Sequence, residues 1–545
     1  MWRVGRASLC RRLSTLAASG DLALRIATST TPGCTGLRLS AGVAAGDPKP
    51  DAVVLPVRRS LIKDGATGST LLGHVSGGRL EAITNTPADD LLRSVAVASI
   101  KDKPRPLFAS STCVIVQPID DKGSDRPSTL RKALHQSLKA AASVRCKNVS
   151  FILPESTTKE DIRALIRVAV QSTHGFARRS KEAPPQVENL QILDLAGDDV
   201  SASQQRVRDV EQQIPIEQAI AEGTILAREL ANERADIVTP EYIEQLARSM
   251  SDAFSSSTFQ CRTVKGVDAL RQSGLSMLAA VGQAASIPPR LVVLEYIPER
   301  SDGSEPVALV GKGVTFDTGG LNLKPTGSIE TMHMDMSGSA AVIGALRSLA
   351  IVKCPRPVVA VLALAENAIG SNAYKPHTIL PSAKGTVQVS NTDAEGRLCL
   401  ADALSYIQAN YKPSTIIDIA TLTGACVVAL GEYAAGVFSN NDDLADRLVA
   451  TGRKSFERCW HMPILPEHVE ELDGKQTDMV SCGRNRYGGA CTAAAFLSKF
   501  IDEGQKWAHI DIAGPAMYSK AVNHMPQGGT GFGAQLLTDF VLQSR

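Results

Sequence analysis

Residues 391–398, Asn-Thr-Asp-Ala-Glu-Gly-Arg-Leu, constrain this chain more than any other stretch, because they place two acids, a cation and a glycine side by side. The alternating residues 385–390 before them predict a β-strand, and the apolar spacing after Gly396 predicts a helix. Residues two apart in an extended chain point to the same side, so we expect Asp393 and Glu395 to project together. Two such carboxylates repel each other unless a cation, usually a hard divalent metal ion, lies between them. An isolated Asp-x-Glu is more often an acidic surface turn, so the metal hypothesis needs a second observation.

A second acidic stretch supplies that observation. Residues 306–320 run from an apolar segment into a glycine-rich turn and predict a buried strand that carries Lys312 and Asp317. Charged side chains are rarely buried unless they are paired or bound to metal. Asp335 follows in a Met-rich apolar context, just before the helix-like residues 340–346. An acid at that position is unusual for a hydrophobic core and natural for a functional site.

Length and composition limit the class of protein. A chain of 545 residues exceeds what one hydrophobic core normally supports, so two domains are expected. The composition, 43% hydrophobic and 21% charged, is that of an ordinary globular protein. No apolar run reaches about 18 residues, so the sequence predicts no transmembrane helix. The formal net charge of +2 does not indicate a nucleic-acid partner.

Residues 1–45 differ in composition from the rest of the chain. They contain six arginines and a single acid, Asp21, among many Ser, Thr and Ala residues. This composition is typical of an organellar transit peptide, and we expect import into mitochondria. Plastid import, and a plain N-terminal extension of a cytoplasmic enzyme, are the alternatives.

Both predicted domains are of the α/β class. Strands and helices alternate over residues 50–200, which predicts a smaller, N-terminal α/β domain with a parallel sheet and no catalytic motif. Residues 201–240 predict a helix that links the two domains. Residues 241–545 predict a larger, C-terminal α/β domain with a mixed, largely parallel sheet. Because such sheets collect ligands at the carboxyl ends of their strands, we expect the two acidic stretches to meet at one sheet edge.

Four motifs together resemble one known family. They are NTDAEGRL at 391–398, VGKGVTFDTGG at 310–320, NLKP at 322–325 and MDMSG at 334–338, in the order and spacing of the leucyl aminopeptidases of family M17, the two-metal cytosol-aminopeptidase type. The resemblance covers roughly residues 300–545 and identifies this region as the catalytic domain.

The resemblance implies a set of site residues. The implied ligands of two divalent ions (Zn, Mn, Co or Mg) are Lys312, Asp317, Asp335, Asp393 and Glu395. Lys324 would stabilise the oxyanion, and Arg397 would hold a bicarbonate that shuttles the proton. An amine must be neutral to bind a metal ion, so a ligand role requires a strongly depressed pKa of Lys312.

The resemblance also implies a substrate and an assembly. A hydroxide that bridges the metals would hydrolyse the first peptide bond of a peptide with a free N-terminus. A preference for Leu or Met would come from an apolar pocket whose implied residues are Met332, Thr421, Leu422, Gly424, Ala513 and Ala516. Members of the family are homohexamers, and we expect the same of this chain.

Two other classes of function remain open. A non-catalytic α/β scaffold or nucleic-acid-binding protein would not need the complete set of acids and lysines, and no concentrated basic stripe is present. Another two-metal hydrolase, such as a phosphoesterase, would usually have histidine ligands, and none of the acidic motifs provides one except through His333. His333 lies beside Asp335, but the side chains of neighbouring residues usually diverge, so we leave it out of the predicted ligand set.

Overall fold

The computed structural model describes residues 37–41, 50–58, 105–109, 112–119, 126–154, 157–174, 187–193, 200–254, 258–485 and 487–543. Most of residues 1–45, on which the targeting prediction rests, lies outside these ranges. The chain divides into two compact units. The smaller one comprises Thr31–Glu222 and Ala521–Pro526, and the larger one contains Gly223–Lys520 and Gln527–Arg545.

The smaller unit contains a six-stranded sheet in the order β1-β6-β5-β2-β4-β3. Its strands are β1 (Arg38–Ala41), β2 (Ala52–Arg58), β3 (Arg105–Ala109), β4 (Thr112–Ile119), β5 (Asn148–Ile152) and β6 (Asn189–Leu193). In the described part of this unit, the helices before residue 200 are α1 (Arg126–Ser143) and α2 (Lys159–Thr173). All neighbouring strands are parallel except β3 and β4, which are antiparallel. The predicted α/β class of this unit is confirmed.

The linking segment is a long helix, α3 (Val200–Asn232), and the chain passes from one unit to the other within it. It ends eight residues before the predicted limit, and a new helix, α4 (Pro240–Ala253), follows. Thr239 starts α4, since its hydroxyl accepts a hydrogen bond from the backbone N–H of Tyr242 at 3.2 Å. Pro240 occupies the first turn of α4, where its missing N–H costs nothing.

The larger unit is built on an eight-stranded sheet in the order β15-β14-β17-β13-β9-β10-β8-β7. Its strands are β7 (Phe259–Lys265), β8 (Arg290–Tyr296), β9 (Val307–Asp317), β10 (Val358–Asn367), β13 (Thr415–Ala420), β14 (Ala435–Ser439), β15 (Cys459–His461) and β17 (Lys506–Asp511). The central strands β17, β13, β9 and β10 are mutually parallel, and β7, β8 and the β14–β17 pair introduce antiparallel neighbours. The predicted mixed sheet is therefore confirmed.

Helices and two small sheets complete the larger unit. The remaining helices are α5 (Val267–Gln272), α6 (Ser276–Gly282), α7 (Ser337–Ile351), α8 (Glu395–Tyr411), α9 (Gly424–Leu430), α10 (Asp442–Ser455), α11 (Pro466–Glu470), α12 (Gly489–Ser498) and α13 (Ala534–Gln543). The small sheets pair β11 (Ile379–Ser382) with β12 (Gly385–Gln388) and β16 (Met479–Val480), and β18 (Met517–Tyr518) with β19 (Gly528–Gly529). No helix in the described ranges is both long enough and apolar enough to span a bilayer.

Close packing of α7 and α8 on the central strands creates the site. At Gly338, near the start of α7, a Cβ atom would lie 2.2 Å from the carbonyl oxygen of Ile419 on β13. At Gly396, in the first turn of α8, a Cβ atom would lie 2.6 Å from Cε of Lys312 on β9. Each glycine is needed because a side chain would separate the helix from the strand that it contacts.

Candidate metal centre

Lys312 on β9 is the buried cation around which the centre is arranged. Its Nζ lies 2.8 Å from a carboxylate oxygen of Asp335 and 2.8 Å from Oε1 of Glu395. It also donates to the backbone carbonyl oxygen of Thr421 at 2.9 Å. With only 2% of its surface exposed, this ammonium group depends on these three oxygens in place of water.

Three chain segments bring the acids to Lys312. Asp317 is the last residue of β9, Asp335 follows the short 3₁₀ turn Met332–Met334, and Glu395 is the first residue of α8. The hydroxyl of Thr421 donates to Oδ1 of Asp335 at 2.7 Å, which fixes that carboxylate beside the end of β13. The two acidic stretches therefore meet beside the carboxyl ends of β9 and β13, although residues 391–398 reach this edge after β12 of a small sheet and not from a strand of the large one.

Asp393 reaches the centre differently from the prediction. The chain at residues 391–394 is a turn and not an extended strand, because the Asn391 side chain accepts from the N–H of Asp393 at 2.9 Å. Asp393 consequently contacts Lys324 at 2.5 Å, whereas Glu395 contacts Lys312. The inference that both carboxylates project side by side from an extended chain was wrong, although both face the same centre.

The oxygen atoms suit a divalent metal ion. Asp317, Asp335 and Glu395 are all buried and place one oxygen each within 4.8 Å of one another. Oε2 of Glu395 is buried and has no hydrogen-bond donor among the described residues. Four carboxylates, those three and Asp393, face two lysines, so the cluster retains an excess of negative charge. A divalent cation prefers hard oxygen ligands of this kind, and one bound here would supply the partner that Oε2 of Glu395 lacks.

Burial and the neighbouring charges shift the pKa values of the acids in different directions. Burial and the nearby Glu395 raise the pKa of Asp317 to about 6. Burial also raises the pKa of Asp335 well above its usual range, even though Lys312 opposes this. Burial acts in the same direction on Glu395, but its contacts with Lys312 outweigh burial and hold its pKa below the ordinary value.

Lys312 has the opposite shift to the one expected from a metal ligand. Burial lowers its pKa, but the carboxylates of Asp335 and Glu395 raise it further, so the net direction is upward. The expected depression assumed positive metal charge beside the amine, and the acids alone keep the proton in place. Lys312 thus acts as an internal counter-ion in the structure as described.

Lys324 bridges the two halves of the centre. Its Nζ lies 2.8 Å from Oδ2 of Asp317 and 2.5 Å from Oδ1 of Asp393. Burial lowers its pKa, but Asp317 and Asp393 raise it to a net increase, so Lys324 is cationic. The side chain is 15% exposed, which places its charge at the open side of the cluster.

Arg397, in the first turn of α8, is not held by an acid. Its terminal nitrogen donates to the backbone carbonyl oxygen of Ser481 at 2.7 Å, and its Nε has no partner among the described residues. No salt bridge between Arg397 and an acid is observed in the described part of the chain. Its remaining donors are available to an anion.

Several polar residues that support the centre were missed by the sequence analysis. Asn367, the last residue of β10, donates to Oδ1 of Asp317 at 2.8 Å and to the carbonyl oxygen of Thr392 at 3.0 Å. Tyr374 donates from its hydroxyl to that same carbonyl oxygen at 2.7 Å. The available signal was the pair Glu366 and Asn367 at the end of a strand next to β9 that is apolar up to residue 365.

The predicted substrate-pocket residues lie at the ends of β13 and β17 and beside the 3₁₀ turn. Thr421 contacts the metal centre directly, through Asp335 and Lys312. Asp511, also missed by the sequence analysis, accepts from the N–H groups of Leu422 and Ala513 at 3.1 Å each and so ties the two strand ends together. The other predicted positions are Met332 in the 3₁₀ turn, Gly424 at the start of α9, and Ala516, which is buried after β17.

Comparison with known proteins gives consistent matches. A family model described as the catalytic domain of the cytosol aminopeptidase family matches residues 225–538. A protein of Syntrophotalea carbinolica named "Probable cytosol aminopeptidase" is 38% identical over 76% of this chain and 82% of its own length. Its namesake in Aquifex aeolicus is 36% identical over 76% of this chain and 81% of its own length.

Solved structures agree with the sequence relatives. A mutant of tomato leucine aminopeptidase superimposes with a TM-score of 0.78 at 28% identity, covering 93% of this chain and 97% of that one. The bottromycin maturation enzyme BotP in complex with Mn superimposes with a TM-score of 0.74 at 28% identity, covering 90% of this chain and 99% of that one.

Proposed function

This chain belongs to the cytosol aminopeptidase family and is a metal-dependent aminopeptidase, and we propose that it removes preferably Leu or Met from peptide N-termini by hydroxide attack at a two-metal centre. The observation that carries the proposal is the buried cluster of Asp317, Asp335 and Glu395 around Lys312, with an unsatisfied oxygen on Glu395.

Five residues of the chain would hold the ions. Lys312, Asp317, Asp335, Asp393 and Glu395 supply one amine and four carboxylates, a set that suits Zn, Mn, Co or Mg. When bound, two such ions polarise the peptide carbonyl and lower the pKa of a shared water, so that hydroxide is available near neutral pH. The bottromycin maturation enzyme, which was solved with Mn, makes manganese a reasonable first choice for reconstitution.

Lys324 is the residue that we assign to the oxyanion. It is held cationic by Asp317 and Asp393 and lies at the open side of the cluster. A fixed positive charge there would meet the negative charge that develops on the carbonyl oxygen as the peptide bond is attacked. Such a contact strengthens in the transition state and therefore acts on the rate of the chemical step.

Arg397 is the residue that we assign to a bicarbonate. The bond to Ser481 uses one of its five donors and orients the guanidinium, while its buried Nε is left without a partner. A planar oxyanion is the natural ligand of such an arrangement. Held there, bicarbonate would accept the proton of the attacking water and pass it to the leaving amine.

Specificity would come from the loops after β13 and β17. Met332, Thr421, Leu422, Gly424, Ala513 and Ala516 provide mainly apolar or small side chains, and Asp511 fixes the two loops against each other. An apolar pocket of this kind favours Leu or Met, although one methylene contributes only about 1–3 kcal/mol to discrimination.

The decisive experiment compares L-leucinamide with N-acetyl-L-leucinamide. Protein stripped of metal by a chelator should be inactive, and Mn, Co or Zn should restore hydrolysis of leucinamide alone, because only a free α-amino group can bind at the centre. Equal hydrolysis of the acetylated compound would contradict exopeptidase specificity. Activity in a preparation shown by elemental analysis to be metal-free would contradict the metal mechanism.

Two proposals concern the protein in its cell. We propose a homohexamer, which the exposed apolar side chains of Val428 and Trp460 support as subunit contacts, and sedimentation analysis would test it.

We also propose mitochondrial import through residues 1–45. A fluorescent reporter fused to these residues should enter mitochondria, and it should stay in the cytosol when Arg3, Arg6, Arg11 and Arg12 are replaced by Glu.

A further inference from the structure

A cavity of about 780 Å³ lies between the α5–α6 segment and residues 371–381 of the larger unit. Its volume falls within the range of small-molecule sites, which is roughly 300–1,000 Å³. None of the metal-centre residues lines it. It is therefore separate from the site assigned above, and no part of the proposed function uses it.

The lining of this cavity is positively charged. It contains two cations, Arg271 and Lys375, and no Asp or Glu. Arg271 donates one hydrogen bond to Oε1 of Gln283 at 2.7 Å, and neither cation forms an ion pair with an acid in the described ranges. Two cations that face one cavity without a carboxylate favour an anionic occupant.

The uncharged lining narrows the class of ligand. Ser276 and Thr378 add hydroxyl groups beside the cations, and Ala280 and Leu380 form a buried apolar wall. A zwitterionic amino acid or peptide would bring an ammonium group that no acid in the lining could receive. We propose that this cavity binds a small organic phosphate, with its phosphate at Arg271 and Lys375 and its apolar part against Ala280 and Leu380.

Two contacts connect the cavity to the metal centre. Tyr374 is buried, lines the cavity and donates to the carbonyl oxygen of Thr392, the residue before Asp393. On the opposite wall, the N–H groups of Met277 and Leu278 in α6 both donate to Oδ2 of Asp402 at 2.8 Å. Asp402 lies on α8, the helix that begins with Glu395. A ligand that shifts either wall would act on the segment that carries Asp393 and Glu395, and the proposal therefore includes an effect of the occupant on hydrolysis.

Binding is tested by calorimetry with phenyl phosphate on the metal-loaded protein. The double variant R271Q/K375Q should lose about tenfold or more in affinity at this site, because it lacks both charge-assisted contacts. The variant R453Q/K454Q on α10 removes the same two charge types from an exposed surface outside the cavity and should bind like the wild type. Phenol and inorganic phosphate, which each carry half of the ligand, should both bind more weakly than phenyl phosphate.

Any phenyl phosphate that binds at the metal centre should do so equally in the wild type and in both double variants. A difference in binding among the three proteins therefore reports on the cavity. Identical isotherms for wild type and R271Q/K375Q would overturn the binding site. Because binding is measured without substrate, this outcome is independent of whether the enzyme hydrolyses leucinamide.

The connection to the centre is tested by kinetics. Phenyl phosphate should change kcat or KM for leucinamide in the wild type and in R453Q/K454Q. The change in R271Q/K375Q should be smaller. The same dependence in all three proteins would overturn the effector role.

Discussion

Two buried charged clusters lie on neighbouring strands of the same sheet, and their partners differ. On β13 and β17, the two carboxylate oxygens of Asp418 lie 2.6 Å from Nδ1 of His509 and 2.7 Å from Nε1 of Trp507. His509 also stacks on Phe438 with ring centroids 5.9 Å apart. Around the end of β9, by contrast, four carboxylates share two lysines, and Oε2 of Glu395 has no donor among the described residues.

The difference separates a structural use of buried charge from a functional one. Asp418 has a donor for each oxygen, so its burial is compensated within the chain and nothing further is required. The metal centre keeps more negative charge than its lysines neutralise, which costs free energy unless a cation binds. Neither burial nor an unpartnered atom distinguishes the two clusters, since Nε2 of His509 also has no partner among the described residues. The balance of charge does distinguish them.

The largest expected effect comes from Glu395→Gln. Gln retains an oxygen for Lys312 but removes the unsatisfied carboxylate oxygen, so metal content and leucinamide hydrolysis should fall together. Replacement of a residue that only hydrogen-bonds to a metal ligand typically lowers activity by roughly 10- to 100-fold. The loss of activity in Glu395→Gln should be larger than this. The free energy of unfolding of the metal-free protein should fall, but by less than in Asp418→Asn, because the weakened contact with Lys312 is offset in part by relief of repulsion among the acids. Normal metal content by elemental analysis together with normal kcat would refute the ligand role.

Lys324→Ala should have the next largest effect. Removal of an oxyanion donor lowers kcat by about 100- to 1,000-fold and changes KM little. Kinetics with leucinamide, alongside metal analysis, measures both parts, and Lys454→Ala on α10 is the control for loss of a lysine charge. Unchanged kcat at full metal occupancy would exclude the oxyanion role. Loss of metal would instead show that the contacts of Lys324 with Asp317 and Asp393 support the ion site.

Asp418→Asn tests the other cluster. Breaking one partner of a buried charged pair costs about 3–5 kcal/mol, so urea denaturation should show a large loss of stability. Metal content should stay at the wild-type value, because Asp418 contacts no residue of the metal centre. This result would be the reverse of that for Glu395→Gln. Loss of metal without loss of stability would remove the distinction between the clusters.

The smallest effect is the pH dependence contributed by His509. Burial lowers its pKa, but the Asp418 carboxylate raises it to a net increase above the ordinary value. A raised folded-state pKa adds stability that is fully present below the unfolded pKa of about 6.5 and is lost as pH rises through the folded pKa. The excess stability of the wild type over His509→Gln should therefore be greatest in acid and decline with rising pH. A difference that is constant across pH would show that the pKa of His509 is the same in the folded and unfolded states, which would contradict this prediction.

The sequence was sufficient to predict those site residues that are charged and lie in otherwise apolar segments. Lys312, Asp317 and Asp335 were found because charge is unusual in apolar strands and before an apolar helix, and the structure brings them together. The α/β class followed from the alternation of strands and helices. The position of Asp317 followed from the rule that ligands collect at the carboxyl ends of parallel strands, whereas residues 391–398 reach that edge from a separate small sheet.

The remainder depended on contacts between distant segments. The turn at Asp393 is set by the Asn391 side chain and could not be distinguished from a strand end by periodicity. Asn367 and Asp511 act through backbone groups more than 20 residues away, and nothing in their local sequence reveals those partners. Likewise, the sequence alone does not show that Gly396 is required by the closeness of Lys312.

Lys312 and Lys324 have a consequence for how the centre assembles. By contacting all four acids, they neutralise half of the cluster's formal charge from within the chain. Each lysine carries into the fold the positive charge that lets two acids from separate segments come together, so the chain itself supplies part of the charge that assembly of the centre requires.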